Sequence, residues 1–206
     1  MNHKLFGKNY MMKNLFMAVL VLALSACTES IPGDPQKVTK DYVNALQQND
    51  FSAIYKMNYL TVRQKRLLVR EEDEAGQKLM EEYFNKHKAD YDSVDAGFTD
   101  RGTWHEKFYF PKTAKLKFGK ASYPKAAPDD PVNADYEKAQ NVYVKIKTTY
   151  NAPDEAPIYG ERKIKEIYFD CFLKKIRKEG NVRIYSHDEQ WFVADIVPDL
   201  STVVYF

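Results

Sequence analysis

Val142-Tyr143-Val144-Lys145-Ile146-Lys147-Thr148-Thr149 alternates without a break, with Val142, Val144, Ile146 and Thr148 on one side and Tyr143, Lys145, Lys147 and Thr149 on the other. A period of two is the mark of a strand with one face on a core and the other in water. The same period holds upstream, where Ala114, Leu116 and Phe118 alternate with Lys115, Lys117 and Gly119. Between the two strands, Pro124, Pro128, Pro131, Asp129 and Asp130 predict a loop. Residues 164–176 form a further strand region, and their mixed pattern implies burial on both faces or a bulge. Glu179-Gly180-Asn181 reads as a turn, residues 182–185 pair back, and residues 191–197 form a late strand. The closing Val203-Val204-Tyr205-Phe206 is apolar enough to dock on the sheet.

Ahead of these strands the period is helical. Asp34 is placed to cap a first helix and Pro35 to occupy its first position, where a missing N–H costs nothing. Val38, Tyr42, Ala45 and Leu46 recur on one face, and residues 47–50 end the run. Asp50 caps a short second helix carrying Phe51, Ile54 and Tyr55. Thr61-Val62-Arg63-Gln64 has capping-box spacing and is expected to open a third helical stretch, which Gly76 would divide. Leu67, Leu68, Ala75, Leu79, Tyr83 and Phe84 supply its apolar stripe. The charges at Arg63, Lys65, Arg66 and Arg70, followed by Glu71, Glu72 and Glu74, read as a solvated helix face. Helices first and strands afterwards predict an α+β fold, with N-terminal helices packed on a curved antiparallel sheet.

The N-terminus has its own pattern. Lys4, Lys8 and Lys13 precede an apolar run over 15–24, which closes on Leu24-Ser25-Ala26-Cys27. The run is too short to span a bilayer as a helix and has the layout of a removable signal. Its last four residues resemble the lipobox of bacterial lipoproteins, in which the cysteine becomes the acylated N-terminus. A start at Met11 or Met12 leaves Lys13, the apolar run and the lipobox in place. The resemblance implies a signal peptide over 1–26, a lipidated N-terminus and tether over 27–34, and one domain over 35–206. It also implies membrane attachment through Cys27, with Thr28 favouring the outer membrane and a domain facing the periplasm. Losing Lys4, Lys8 and Lys13 takes the formal charge from +2 to −1, which asks for no nucleic-acid or polyanion partner. Cys171 is then the single remaining thiol, so no internal disulfide staples the fold, and Phe169, Phe172 and Leu173 around it predict a small buried side chain.

The mature chain also resembles the NTF2-like (cystatin-like cone) superfamily. The likeness runs through the capped helix ending in Gln47-Gln48-Asn49-Asp50-Phe51 and returns at Asp188-Glu189-Gln190-Trp191-Phe192-Val193-Ala194-Asp195-Ile196. The stretch between residues 60 and 110 is longer than in the simplest members. The resemblance implies a curved sheet wrapped round a long helix, leaving a cone-shaped pocket. Members include enzymes, lipid and small-ligand binders and interaction domains, so fold alone does not supply function.

No catalytic signature of the metalloprotease, serine-hydrolase, phosphate-loop or paired-cysteine kind occurs, and no cofactor is expected. His105-Glu106 and His187-Asp188-Glu189 set metal-ligand types side by side, but neighbours on a strand point to opposite faces, so no metal site is expected. Cone enzymes place an acid or base inside the pocket, and the analogous residues here are Asp170 and Asp195. Asp195 is expected to share a face with Trp191 and Val193, and Asp170 with Tyr168 and Phe172. Each either lines a pocket with a raised pKa or faces water or a lysine on a neighbouring strand. Trp104, Phe108, Tyr109 and Phe110 form an aromatic cluster; buried it is core, exposed it would grip an acyl chain, a glycan ring or a partner. Trp191 joins Trp104, Phe108 and Phe110 as a candidate contact for such a ligand or partner. Lys112, Lys115, Lys117, Lys120 and Lys125 follow the cluster, either guarding a strand edge or meeting anionic groups. The expectation is a lipid-anchored envelope protein, non-catalytic, binding a small apolar ligand or an envelope partner protein. Acid–base catalysis by Asp195 or Asp170, or a structural role in an assembly, are the alternatives.

Overall fold

The computed structural model describes residues 33–68, 74–94, 104–123, 141–175 and 190–206. Cys27 and the stretch that resembles a lipobox, the loop expected at 124–131, the turn and pairing segment expected at 179–185, and His187, Asp188 and Glu189 lie outside them. Residues Pro32–Phe206 form one compact unit. Four helices come first: α1 (Pro35–Gln48), α2 (Phe51–Met57), α3 (Tyr59–Leu68) and α4 (Glu74–Ser93). A 3-10 turn at His105–Phe108 leads to five strands: β1 (Lys115–Ser122), β2 (Asn141–Thr149), β3 (Ile158–Tyr159), β4 (Arg162–Lys175) and β5 (Trp191–Tyr205). The strands pair antiparallel throughout, into a curved sheet that is not closed into a barrel. This is the expected α+β arrangement.

Local chemistry sets the helix ends. The Asp34 side chain accepts from the Lys37 N–H at 3.0 Å, and Pro35 takes the first position of α1. Asn49, at φ 57°, closes α1 in the left-handed region, and Asp50 at once caps α2 by accepting from the Ala53 N–H at 3.1 Å. The start of α3 differs from the capping-box expectation. Asn58 is the cap, its Oδ1 accepting from the N–H groups of Leu60 (3.0 Å) and Thr61 (3.3 Å). Thr61 lies inside the helix, where its hydroxyl donates to the carbonyls of Asn58 and Tyr55. An amide with one oxygen free to reach two N–H groups outcompetes a hydroxyl three residues later. Gly76 is buried within α4 and divides nothing.

β4 is the sheet's central strand, with β2 along one side and β5 along the other. Its mixed pattern resolves as a bulge. Ile164 is buried, the ladder shifts on both sides of Glu166, and burial then resumes in step at Ile167, Phe169, Cys171 and Leu173. These side chains, with Val142, Val144, Ile146 and Thr148 of β2, meet Thr39, Tyr42, Val43 and Leu46 of α1, which crosses β1, β2 and β5. The opposite face is polar: Lys145 pairs with Asp170 at 3.3 Å, and Lys147 with Glu166 at 2.7 Å.

β5 is longer than the late strand read from the sequence, because the chain runs through Pro198 and absorbs the apolar tail as far as Tyr205. A proline is tolerated because at Pro198 β4 is the one strand paired with β5 among the described residues. The partner of Tyr168 is Asp199 and that of Glu166 is Val204, so β5 bulges between them. Thr202 repairs the gap, its hydroxyl accepting from the Tyr168 N–H at 3.0 Å and donating to the Asp199 carbonyl at 2.7 Å.

Candidate functional site

α2, α4 and the turn at His105–Phe108 meet in an aromatic cluster. The Phe51 ring lies 5.0 Å from Tyr91, 5.4 Å from Phe84 and 5.5 Å from Trp104, centroid to centroid. Tilted and edge-on pairs of this kind contribute about 0.5–1.5 kcal/mol each beyond the area they bury. Trp104 is 2 % exposed and sits at φ 75°, a left-handed backbone conformation costly for a bulky side chain.

Above Trp104 lies an open cleft of about 340 Å³ between α3 and α4, near the lower end of the roughly 300–1,000 Å³ usual for ligand pockets. α3 presents Leu60, Arg63 and Gln64, which share one helix face by their spacing of three and four. Asn58 and Thr61 line the end at the start of α3, and His87 of α4 faces them. Leu60 is 54 % exposed at this wall, a large apolar side chain with little cover. The His87 Nε2 and the Gln64 Oε1 lie 3.0 Å apart. Burial holds the His87 pKa below its ordinary value, so the imidazole is neutral at pH 7. With the Gln64 oxygen accepting, the Nε2–H donates and Nδ1 keeps a lone pair. That Nδ1 and the Trp104 Nε1–H are buried without a hydrogen-bond partner among the described residues.

A polar relay runs inward from the cleft wall. The Asn58 Nδ2 donates to the Tyr42 hydroxyl at 3.4 Å, and the Tyr42 O–H donates to the Glu106 Oε1 at 2.9 Å. The Glu106 residue is half-buried, but its carboxyl is enclosed, and that burial pushes its pKa up. The Tyr42 hydrogen bond opposes the shift without cancelling it. Burial and the nearby Glu106 also hold the Tyr42 phenol well above its ordinary range.

The carboxylates singled out in the sequence stand elsewhere. Asp170 is on the outer face with Tyr168 and Phe172, as expected, and pairs there with Lys145. Asp195 does not share a face with Trp191 and Val193. The ladder slips between Phe172 and Leu173, so Ala194 bulges and the parity flips; Val193 is buried opposite Leu173, while Asp195 is exposed opposite Phe172. Trp104, Phe110 and Trp191 are core side chains, Trp104 also flooring the cleft, and Phe108 is half-buried with the Lys107 ammonium 4.8 Å from its ring centre. Lys112, Lys115, Lys117 and Lys120 are exposed, and Lys125 lies outside the described residues. Cys171 is fully buried, and burial pushes its thiol up to about 12.

Sequence reasoning missed Arg63, His87 and Glu106. Arg63 was read as one charge of a solvated face, although its spacing from Leu60 already put it beside an apolar residue. Glu106 drew notice only for its neighbour His105. Among the described residues no three His, Cys, Asp or Glu side chains stand together as a metal centre would require. No protein-family model, curated protein or solved structure matches the chain. Fold and site together define an α+β domain with a small, mainly apolar cleft at its helical side.

Proposed function

We propose that this chain is a lipid-anchored protein of the bacterial envelope, attached through Cys27, whose cone-like domain binds a small and largely apolar ligand. The observation that carries the reading is the cleft between α3 and α4. It has an exposed Leu60 on its wall and a buried indole as its floor, and Trp104 holds that place in a strained backbone conformation. Acid–base catalysis has weaker support. Asp170 is ion-paired on the outer face and Asp195 is exposed on β5. Glu106, the carboxyl placed inside, is hydrogen-bonded to Tyr42 and is not among the residues lining the cleft.

The unit Pro32–Phe206 contains its own core, so a protein beginning at Thr28 keeps the whole domain. Native mass spectrometry of that protein, purified from a periplasm and compared with its denatured mass, tests the binding role. Extra mass lost on denaturation is the expected result, and the released molecule identifies the ligand. A bare protein whose Trp104 indole resonance no apolar molecule shifts would overturn it. The anchor is tested separately: Cys27→Ala in the full chain is expected to abolish acyl labelling and membrane retention, and unchanged labelling would refute the attachment.

A further inference from the structure

Two buried polar atoms of the cleft lining have no hydrogen-bond partner among the described residues, the Trp104 Nε1–H and the His87 Nδ1. Polar groups beside them are engaged within the protein. Asn58 caps α3 and donates to Tyr42, and the Thr61 hydroxyl donates to the carbonyls of Tyr55 and Asn58. The Gln64 Oε1 accepts from the His87 Nε2–H. In a neutral ring protonated at Nε2, Nδ1 can only accept, whereas an indole N–H can only donate. One atom therefore lacks an acceptor and the other a donor. Their rings meet edge to face with centres 5.9 Å apart, so the two unmet needs fall side by side. A buried polar group without a partner bears the whole cost of leaving water, and such groups are rare in folded proteins.

Building on the cleft reading above, we propose that its ligand is a small neutral alcohol, whose hydroxyl accepts from the Trp104 Nε1–H and donates to the His87 Nδ1, with its apolar body along Leu60. A hydroxyl accepts and donates through one oxygen, which is what the pair lacks. An ether or a ketone satisfies the indole and leaves Nδ1 without a donor. Both atoms are closed to water, and His87 is only half-buried, so the hydroxyl enters as the His87 ring swings aside. The volume of about 340 Å³ suits one short chain and not a two-chain lipid.

The test titrates 1-octanol and its isomer methyl heptyl ether into the protein beginning at Thr28, following the Trp104 indole N–H by NMR with Trp191 as internal control. The two molecules share every atom type and differ in the one donor. Octanol is expected to bind at least about fivefold more tightly than the ether. His87→Phe keeps an aromatic ring without the acceptor and is expected to erase that difference. His87→Asn returns an acceptor at the δ position and is expected to restore part of it. Equal binding of the two isomers to the unsubstituted protein, or a preference that survives His87→Phe, would overturn the hydroxyl assignment while leaving an apolar cleft. A Trp104 signal that neither isomer moves would overturn the cleft reading itself.

Discussion

Glu106 is held where its charge is disfavoured, and that makes it a pH-dependent load on the fold. Burial is the largest cause of its raised pKa, and the nearby Asp195 pushes the same way. The folded chain therefore binds this proton more tightly than the unfolded chain does. The sign follows: stability is greatest below the ordinary carboxyl range and falls as pH rises from there through the raised folded value. Glu106→Gln keeps an oxygen to accept from Tyr42 but cannot ionise. Its melting temperature, compared with that of the unsubstituted protein from pH 4 to pH 8, is expected to gain ground as pH rises, each 1 kcal/mol showing as about 2–4 °C. A difference constant across that range would mean that the carboxyl is hydrated in the folded chain. Tyr42→Phe removes the donor from the same pair and leaves the carboxyl enclosed without it; a loss of about 1–3 kcal/mol is expected in urea unfolding. Gly160 has a different role. At φ 64° it turns the two-residue connection between β3 and β4, with Tyr159 paired to Arg162. Nothing lies within 4 Å of where its Cβ would be, so Gly160→Ala is expected to cost about 1 kcal/mol through backbone strain alone.

Caps at the element scale differ in how much they hold. Asp34 is exposed and makes one hydrogen bond to the first turn of α1, so Asp34→Ala is expected to cost about 1 kcal/mol. Asn58 is 7 % exposed, caps α3 with two acceptor bonds, donates to Tyr42, and bridges to Val193 of β5 through its backbone. Asn58→Ala removes the cap and leaves buried groups unpaired, so about 2–3 kcal/mol is expected. Urea unfolding of the two variants side by side checks the ranking, and an equal loss would mean that the relay to Tyr42 contributes nothing. The same elements show what the sequence could reveal. Asp34-Pro35, Asn49-Asp50 and the alternation of β2 are local signals, each within a few residues, and the structure keeps them. Where the outcome depended on long-range pairing, local reading failed. The parity of Asp195 turned on a slip against Leu173, and the length of β5 on a partner strand some thirty residues earlier. The cleft was illegible for the same reason, because it unites α3, α4 and Trp104 across breaks that no short window spans.

At the scale of the whole molecule, Cys171 reports whether the sheet opens in parts or all at once. It lies on β4 with Val144 of β2 on one side and Ile196 of β5 on the other, and the Thr39 hydroxyl of α1 is 3.7 Å from its sulfur. All four residues are buried. A reagent can reach the sulfur only if α1 lifts or a ladder beside β4 parts. Burial also raises the thiol to about 12, so even a transient approach at neutral pH meets the unreactive protonated form. In a protein beginning at Thr28, Cys171 is the sole cysteine, and its labelling needs no second variant to interpret. Because α1 crosses β1, β2 and β5 and joins the elements round one core, its departure should unfold the domain as a unit. Labelling by an aromatic disulfide reagent is therefore expected to be negligible in native buffer and to rise with urea on the slope of global unfolding. Labelling that is fast and independent of urea would mean that β5 separates from β4 while the rest of the domain stays folded.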